Sequence, residues 1–318
     1  MQLQPNGQPW TDQGGNPVHA HGGHIIQHDG WWYWYGEDRR DDAYVACYRS
    51  RDLATWEFRR RVLTAASPAA ATRVHADLRL KNDNGSKVNV ERPKVLYNAK
   101  TGKFVMWAHY ENGENYRDAR ACVATCDAPD GDFVYHGSFN PYGQMSRDCT
   151  LFLDDDGEAY FLSAARDNAD LHVYRLTADF LNVKRHVNVL WQGEYREAPA
   201  VFKKDGRYFI LSSHCTGWAP NQGKWACGAT LDGDFGELAD FGDATTFDSQ
   251  PAFVLPVAGA AGTTYLYWGD RWGYDAGVDL LSQRTPLEHY LTSTYVVLPL
   301  RFRADGSPYI ENAPRAGF

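Results

Sequence analysis

Four short segments of the chain share one form: a polar side chain, then proline or a small residue, then an apolar run. They are Val88-Asn-Val-Glu-Arg-Pro-Lys-Val95 with Glu91, Ser146-Arg-Asp-Cys-Thr-Leu-Phe152 with Asp148, Tyr195-Arg-Glu-Ala-Pro-Ala-Val-Phe202 with Glu197, and Asp248-Ser-Gln-Pro-Ala-Phe-Val254 with Gln250. A fifth segment, His19-Ala-His-Gly-Gly-His24, carries imidazoles instead. An acid that leads an apolar strand loses hydration unless it has a role or a partner. Singly, each reads as a structural strand cap. Repeated at one offset, they gather around a common point if their strands converge. Clustered carboxylates raise one another's pKa, so that one keeps its proton near neutral pH and can serve as a general acid. Hydrolysis of a glycosidic bond needs such an acid, plus a group that activates or holds water on the opposite face.

The elements that would position these residues are short aromatic and β-branched runs separated by Gly, Asp and Asn. His28-Asp-Gly-Trp-Trp-Tyr-Trp-Tyr35 is a turn followed by a strand, with Tyr44–Tyr48 as its partner. The same form recurs at Asn98–Trp107 with Ala119–Ala124, at Asp154–Leu162 with Leu171–Leu176, at Lys203–Leu211 with Lys224–Ala229, and at Gly262–Trp268. Asp-Gly and its equivalents supply the positive-φ residues of a tight hairpin, and the strand that follows alternates its faces. Five such units, roughly 50 to 70 residues apart, are the repeat of a five-bladed β-propeller. A β-sandwich is the competing all-β arrangement, but its strands come at shorter and more even spacing. Helical periodicity is scarce. Ala65–Thr72 reads as a short helical turn or an exposed loop, and Ala258–Thr263 as a surface loop. No stretch reads as a linker, so residues 1–318 are taken as a single catalytic domain without an accessory carbohydrate-binding module.

Composition narrows the partners. A net charge of −8 argues against a polyanion, because nucleic-acid binding rests on clustered Lys and Arg. No apolar run approaches the roughly 20 residues of a membrane helix. The 11 Trp and 19 Tyr have two readings, sugar-stacking surfaces or the ordinary filling of pleated cores. Cys47, Cys122, Cys126, Cys149, Cys215 and Cys227 form no C-x-x-C pair and no zinc spacing, and they read as small buried apolar groups. A Cys215–Cys227 bridge across one hairpin is the alternative that we set aside.

The five-unit pattern, Glu-Ala-Pro around Glu197 and Arg-Asp at Asp148 resemble glycoside hydrolase family 43. The likeness is greater to its exo-β-1,3-galactanase branch, subfamily 24. The further pieces are Ala20–Gly23, Trp32–Glu37, Glu91–Asn98, Phe104–Trp107, Thr216–Trp218, Ser249–Pro251, Gly269–Trp272 and Val297–Leu300, in order along nearly the whole chain. The resemblance implies that Glu197 is the general acid and that Asp148 tunes and orients it. Most of the family has an aspartate base in the first blade, and Ala20-His-Gly-Gly23 has none. In the galactanase branch a glutamine at the place of Gln250 holds the attacking water, as an imidic tautomer, and Glu91 is the fallback base or a ligand for galactose hydroxyls. Glu37, Tyr116, Asn168 and Thr216 fall where that branch binds the terminal galactose. Glu37 also reads as an ion pair with Arg39 or Arg40, and Tyr116 as a surface aromatic. Trp218 and Trp272 stack on a sugar or pack between blades, and His21 is expected near the axis, among the substrate-binding groups or as a structural donor.

The expected outcome is inversion, with acid and water-holding group roughly 6.5 to 9.5 Å apart. The substrate expected is β-1,3-galactan of arabinogalactan, with galactose or branched galacto-oligosaccharides released. The loops Asn112–Tyr116 and Gly217–Asn221 are expected to close one end of the pocket. No cofactor is required, although a structural ion such as calcium on the propeller axis fits the resemblance. The segment Met1–Gly7 has no charged-then-apolar leader. The expectation is an extracellular or periplasmic enzyme whose signal has been removed, with a cytoplasmic one as the alternative. Three competing functions stand beside this one: an α-L-arabinofuranosidase or β-xylosidase of the same family, a non-catalytic sugar-binding propeller, and a protein-interaction propeller.

Overall fold

Each unit expected from the sequence is a four-stranded antiparallel sheet in the computed structural model, which describes residues 2–72, 77–260, 262–273 and 286–317. Blade I holds β1 (His21–His28), β2 (Trp31–Glu37), β3 (Ala43–Ser50) and β4 (Glu57–Thr64). Blade II holds β5 (Asn89–Asn98), β6 (Lys103–Glu111), β7 (Arg120–Cys126) and β8 (Val134–Phe139). Blade III holds β9 (Cys149–Leu153), β10 (Ala159–Ala165), β11 (Asp170–Leu176) and β12 (Val183–Leu190). Blade IV holds β13 (Arg196–Lys204), β14 (Arg207–His214), β15 (Gly223–Gly228) and β16 (Ala239–Phe241). Blade V holds β17 (Gln250–Gly259), β18 (Gly262–Arg271), β19 (Thr294–Phe302) and β20 (Pro308–Tyr309). Every blade is a meander paired in chain order.

The hairpins form where the sequence demands them. Asp29 and Gly30 take φ of 48° and 73°, and Asp205 and Gly206 take 50° and 74°. Two successive positive φ angles give a two-residue hairpin whose twist matches that of its strands. The first strands of the blades touch in a closed cycle, β1 to β5 to β9 to β13 to β17 and back to β1. The ring is a five-bladed propeller, and closure leaves each blade's first strand at the axis.

Apolar side chains fill the five clefts between neighbouring blades, one cluster to a cleft. The ends of the chain complete the cleft between blades I and V. The Leu3 amide donates to the Ala316 carbonyl at 3.0 Å, and the Asn6 side chain donates to Val297 and Ala313 at 2.9 Å each. Trp10 from this strap meets Trp34 and Trp268 edge-on at 5.9 and 5.4 Å. Much of the aromatic content is therefore core.

Two local expectations resolve differently. Ala65–Thr72 is an irregular loop, the second of the two readings offered for it. Within Ala258–Thr263, expected as a surface loop, the strands run on: Ala258 pairs with Thr263 and Gly259 with Gly262, and Ala261 lies outside the described residues. All six cysteines are free. Among the described residues a short α-helix, α1 (Pro286–Leu291), precedes β19. Among the described residues no helix is long and apolar enough to cross a membrane.

Trp34 is fully buried against Trp10, Trp56, Trp268 and Tyr295. Replacing it with alanine is expected to cost about 3–5 kcal/mol of unfolding free energy in a denaturant titration, because the cleft between blades I and V is left with a cavity.

Candidate active site

The axial ends of the first strands carry a repeated irregularity. A register shift follows His21 in β1, Glu91 in β5, Glu197 in β13 and Pro251 in β17, each inserting one extra residue. In three of them the residue after the polar side chain has a positive φ: Gly22 at 58°, Arg92 at 54° and Ala198 at 51°. A β-bulge re-aims the side chain beside it and ends regular pairing. A Cβ on Gly22 would come within 2.7 Å of Glu37 Oε1, so glycine keeps that carboxylate in place. The sequence pattern of polar residue, then Pro or small residue, is the trace of these bulges.

The result is one cavity of about 680 Å³ at the ring's centre. It is lined by Glu37, Glu91, Tyr116, Asp148, Asn168, Glu197, Trp218, Gln250 and Trp272, all named from the sequence. Glu197 accepts from the Gln250 Nε2 at 3.0 Å on one oxygen and from the Asn168 Nδ2 at 3.0 Å on the other. Burial, then the negative charge of Asp148, pushes the Glu197 carboxyl up to about 8, against the opposing pull of Arg92. A carboxyl that stays protonated near neutrality is a competent proton donor.

Gln250 is saturated. Its amide nitrogen donates to Glu197 and, at 2.9 Å, to Ser213 Oγ. Its oxygen accepts from the Trp272 indole at 2.8 Å and from the Arg92 guanidinium. Both of those groups can only donate, which fixes the amide's orientation. The 3.0 Å contact corrects the expected separation: Gln250 and Glu197 stand on adjacent blades, too close to flank a sugar at roughly 6.5 to 9.5 Å in this state.

Glu91 lies on a blade that does not adjoin that of Glu197. Its Oε1 accepts from Arg39 at 3.1 Å and from the Tyr116 hydroxyl at 2.7 Å, and Oε2 faces His109 at 3.4 Å. Burial raises its pKa, but Arg39, His109 and Tyr116 outweigh that and hold it at about 2. Glu37 takes both readings at once. It lines the cavity, yet it accepts from Arg39 at 2.9 and 2.7 Å and from the Arg92 amide at 3.0 Å, and burial raises its pKa against the Arg39 charge. Tyr116 is exposed over almost half its surface but points its hydroxyl inward. Trp218 and Trp272 meet edge to face at 5.1 Å and form one wall.

Two expected residues fall elsewhere. Thr216 donates to Ala219 O at 2.5 Å and accepts from Asn221 at 2.7 Å, so its hydroxyl is used within its own exposed loop and not in the cavity. His21 is fully buried beneath the floor, where Nδ1 meets Asp270 Oδ1 at 3.0 Å and the ring stacks on Tyr295 at 4.5 Å. It supports the site as a structural group and does not reach a substrate.

Sequence reasoning passed over Arg92, His109, Ser213 and Asp270, and had Arg39 only as a partner for Glu37. Arg92 is buried and reaches Asp148 at 3.2 Å as well as Gln250. His109, Ser213 and Asp270 pair across the hairpin with Glu91, Glu197 and Gln250. Counting residues back from each turn would have found them.

Glu91, His109 and Asp148 bring ligand-type atoms within 4.8 Å of one another. The set suits a metal ion poorly, because Arg39 and Arg92 already occupy the two carboxylates and His109 faces Glu91 and Glu111 through its two nitrogens.

A buried proton-donor carboxyl in the axial cavity of a five-bladed propeller has the chemistry that acid-catalysed cleavage of a glycosidic bond needs. The chain belongs to the glycosyl hydrolases family 43, whose model matches residues 15–237. It is similar to an exo-β-1,3-galactanase from Clostridium thermocellum, with 43% identity and a TM-score of 0.86 over 98% of this chain and 65% of that one. A second similar structure is an exo-β-1,3-galactanase from Phanerochaete chrysosporium solved with β-1,3-galactotriose, at 34% identity and a TM-score of 0.81 over 99% of this chain and 67% of that one. A third is a family 43 β-1,3-galactosidase solved with galactodeoxynojirimycin, at 31% identity and a TM-score of 0.81 over 99% of this chain and all of that one. The chain thus spans 65% of the first relative's length. A comparison with curated proteins finds no match.

The Glu197 carboxyl carbon is expected to titrate near pH 8 by NMR. Asp148→Asn removes a like charge and is expected to lower that midpoint by about one unit, and an unmoved midpoint would show that burial alone sets it.

Proposed function

We propose that the chain is an exo-acting glycoside hydrolase that removes galactose from the end of β-1,3-galactan chains, with inversion. The observation that carries the reading is Glu197, raised to about 8 at the floor of a cavity of about 680 Å³. Its proton passes to the glycosidic oxygen as the bond to the anomeric carbon breaks; water adds to that carbon from the other face and gives up its proton to solvent, from which Glu197 is reprotonated. Asp148 keeps the proton on Glu197 before the reaction. Glu91, ionised and buried, is suited to accept hydrogen bonds from the galactose hydroxyls. Gln250 holds Glu197 through its amide, and a sugar that parts the two frees an amide hydrogen that orients the incoming water. No step here calls on the imidic tautomer, because the Gln250 oxygen faces two obligate donors.

The relatives support galactan over arabinofuranosides or xylosides, since the three reported above are all named for β-1,3-galactan or β-1,3-galactoside cleavage. An exo mode is supported by two loops at the cavity: Gly113–Tyr116 from one, and Gly217 and Trp218 from the other, line it. We propose that the axis needs no calcium, because the buried cations Arg92 and Lys94 already hold it, the latter donating to the Gly22 carbonyl. A polysaccharide substrate also favours a place outside the cytoplasm, where polymer is available.

Incubation with β-1,3-galactan is expected to yield free galactose. Glu197→Gln is expected to lower kcat on β-1,3-galactobiose by about 10²–10⁴-fold while galactose still binds. Sugar binding with no wild-type turnover would mark a lectin-like propeller instead.

A further inference from the structure

Behind Glu91 lies a second buried acid that the mechanism above does not use. Glu111 and His109 lie two residues apart on β6, so both side chains project from one face of the strand. Glu111 is fully buried, His109 is 1% exposed and Glu91 is 7% exposed. His109 Nε2 meets Glu111 Oε1 at 2.9 Å, and its Nδ1 faces Glu91 Oε2 at 3.4 Å. The other oxygen of Glu111 accepts the Ala119 amide at 3.0 Å. We propose that Glu111 and His109 are positioning residues that form a carboxylate–imidazolium–carboxylate chain, and that this chain keeps Glu91 ionised and aimed into the cavity.

The chemistry of the imidazole supports this. A neutral ring donates from one nitrogen only, and here both nitrogens face carboxylate oxygens. The imidazolium donates to Glu111 from Nε2 and turns its second N–H toward Glu91 Oε2 at 3.4 Å, an ion pair longer than a hydrogen bond. Burial pushes His109 down, but the bond to Glu111 and the Glu91 carboxylate at 3.4 Å outweigh it and raise the ring to about 9. The surroundings explain why Glu91 needs this cation. Arg39 and Glu37 face it from blade I, Tyr116 from the loop after β6, and Asp148 from blade III. Arg39 is shared with Glu37, and Arg92 is engaged with Asp148, Gln250 and Pro251. Four carboxylates, Glu37, Glu91, Asp148 and Glu197, line one cavity, and like charges at such range favour protonation. His109 answers this on the buried side of Glu91, and Glu111 keeps His109 charged.

The effect on turnover rests on the galactanase reading, but the proton inventory does not, so two measurements separate them. By NMR, with His109 assigned from its loss in His109→Gln, the wild-type ring is expected to remain an imidazolium until about pH 9. In Glu111→Gln its midpoint is expected to fall to neutrality or below, as burial then dominates. A wild-type ring that titrates near its ordinary value, or an unchanged midpoint in the variant, overturns the chain. By kinetics on β-1,3-galactobiose, wild-type KM is expected to stay flat from pH 7 to pH 4, read against kcat. In Glu111→Gln, KM is expected to climb up to about tenfold per pH unit below the new Glu91 midpoint, with kcat affected less. A pH profile parallel to wild type overturns the proposal. His109→Gln, an uncharged donor of similar reach, is expected to reproduce the climb and decides the matter if Glu111→Gln fails to fold. If the wild type releases no galactose, the substrate reading falls while the NMR result still stands.

Discussion

The buried guanidinium of Arg92 ties the blades together at the axis. It bonds Gln250 and the Pro251 carbonyl of blade V and pairs with Asp148 of blade III, while the backbone N–H of Arg92 donates to Glu37 of blade I. An isolated guanidinium at that depth would be costly, and an isolated carboxylate no less so. The axial groups are therefore tolerable only as a set. Alternating charges from Glu37 through Arg39 and Glu91 to His109 and Glu111 continue the same arrangement inward.

Balance within the set is uneven, and the unevenness is useful. Glu91 has Arg39, His109 and Tyr116 around it and is held near 2. Glu197 is buried with the Asp148 charge nearby, and is raised to about 8 even though the Gln250 amide donates to it. Two carboxyls in one cavity thus sit about six units apart, which assigns one to carry a proton and the other to carry charge. The propeller makes this possible because each blade delivers its leading side chain independently of its neighbours.

Much of this was legible in the sequence for a physical reason. Asp-Gly turns and alternating aromatics fix hairpins locally, and a bulge after a strand's first polar residue leaves a trace as Pro or a small residue. Glu91, Glu197 and Gln250 stood out on that trace, and Asp148 by its matching offset. The partner side chains did not. His109, Ser213 and Asp270 lie near the ends of second strands, where a polar residue reads as the wet face of a pleat, and their roles follow only from cross-strand register. Arg92 was within a quoted motif, but the direction of its side chain depends on ring closure across most of the chain. Thr216 and His21 matched a pattern without matching its geometry: one hydroxyl is bound within its loop, and one imidazole is sealed below the floor.

A crystal structure of the protein with galactose bound tests the convergence of these groups most directly. The expected result is one sugar in the axial cavity, with its anomeric carbon beside Glu197, hydroxyls on Glu91, and Gln250 parted from the acid. Galactose bound on another face of the ring at saturating concentration, with the axial groups undisturbed, would contradict it.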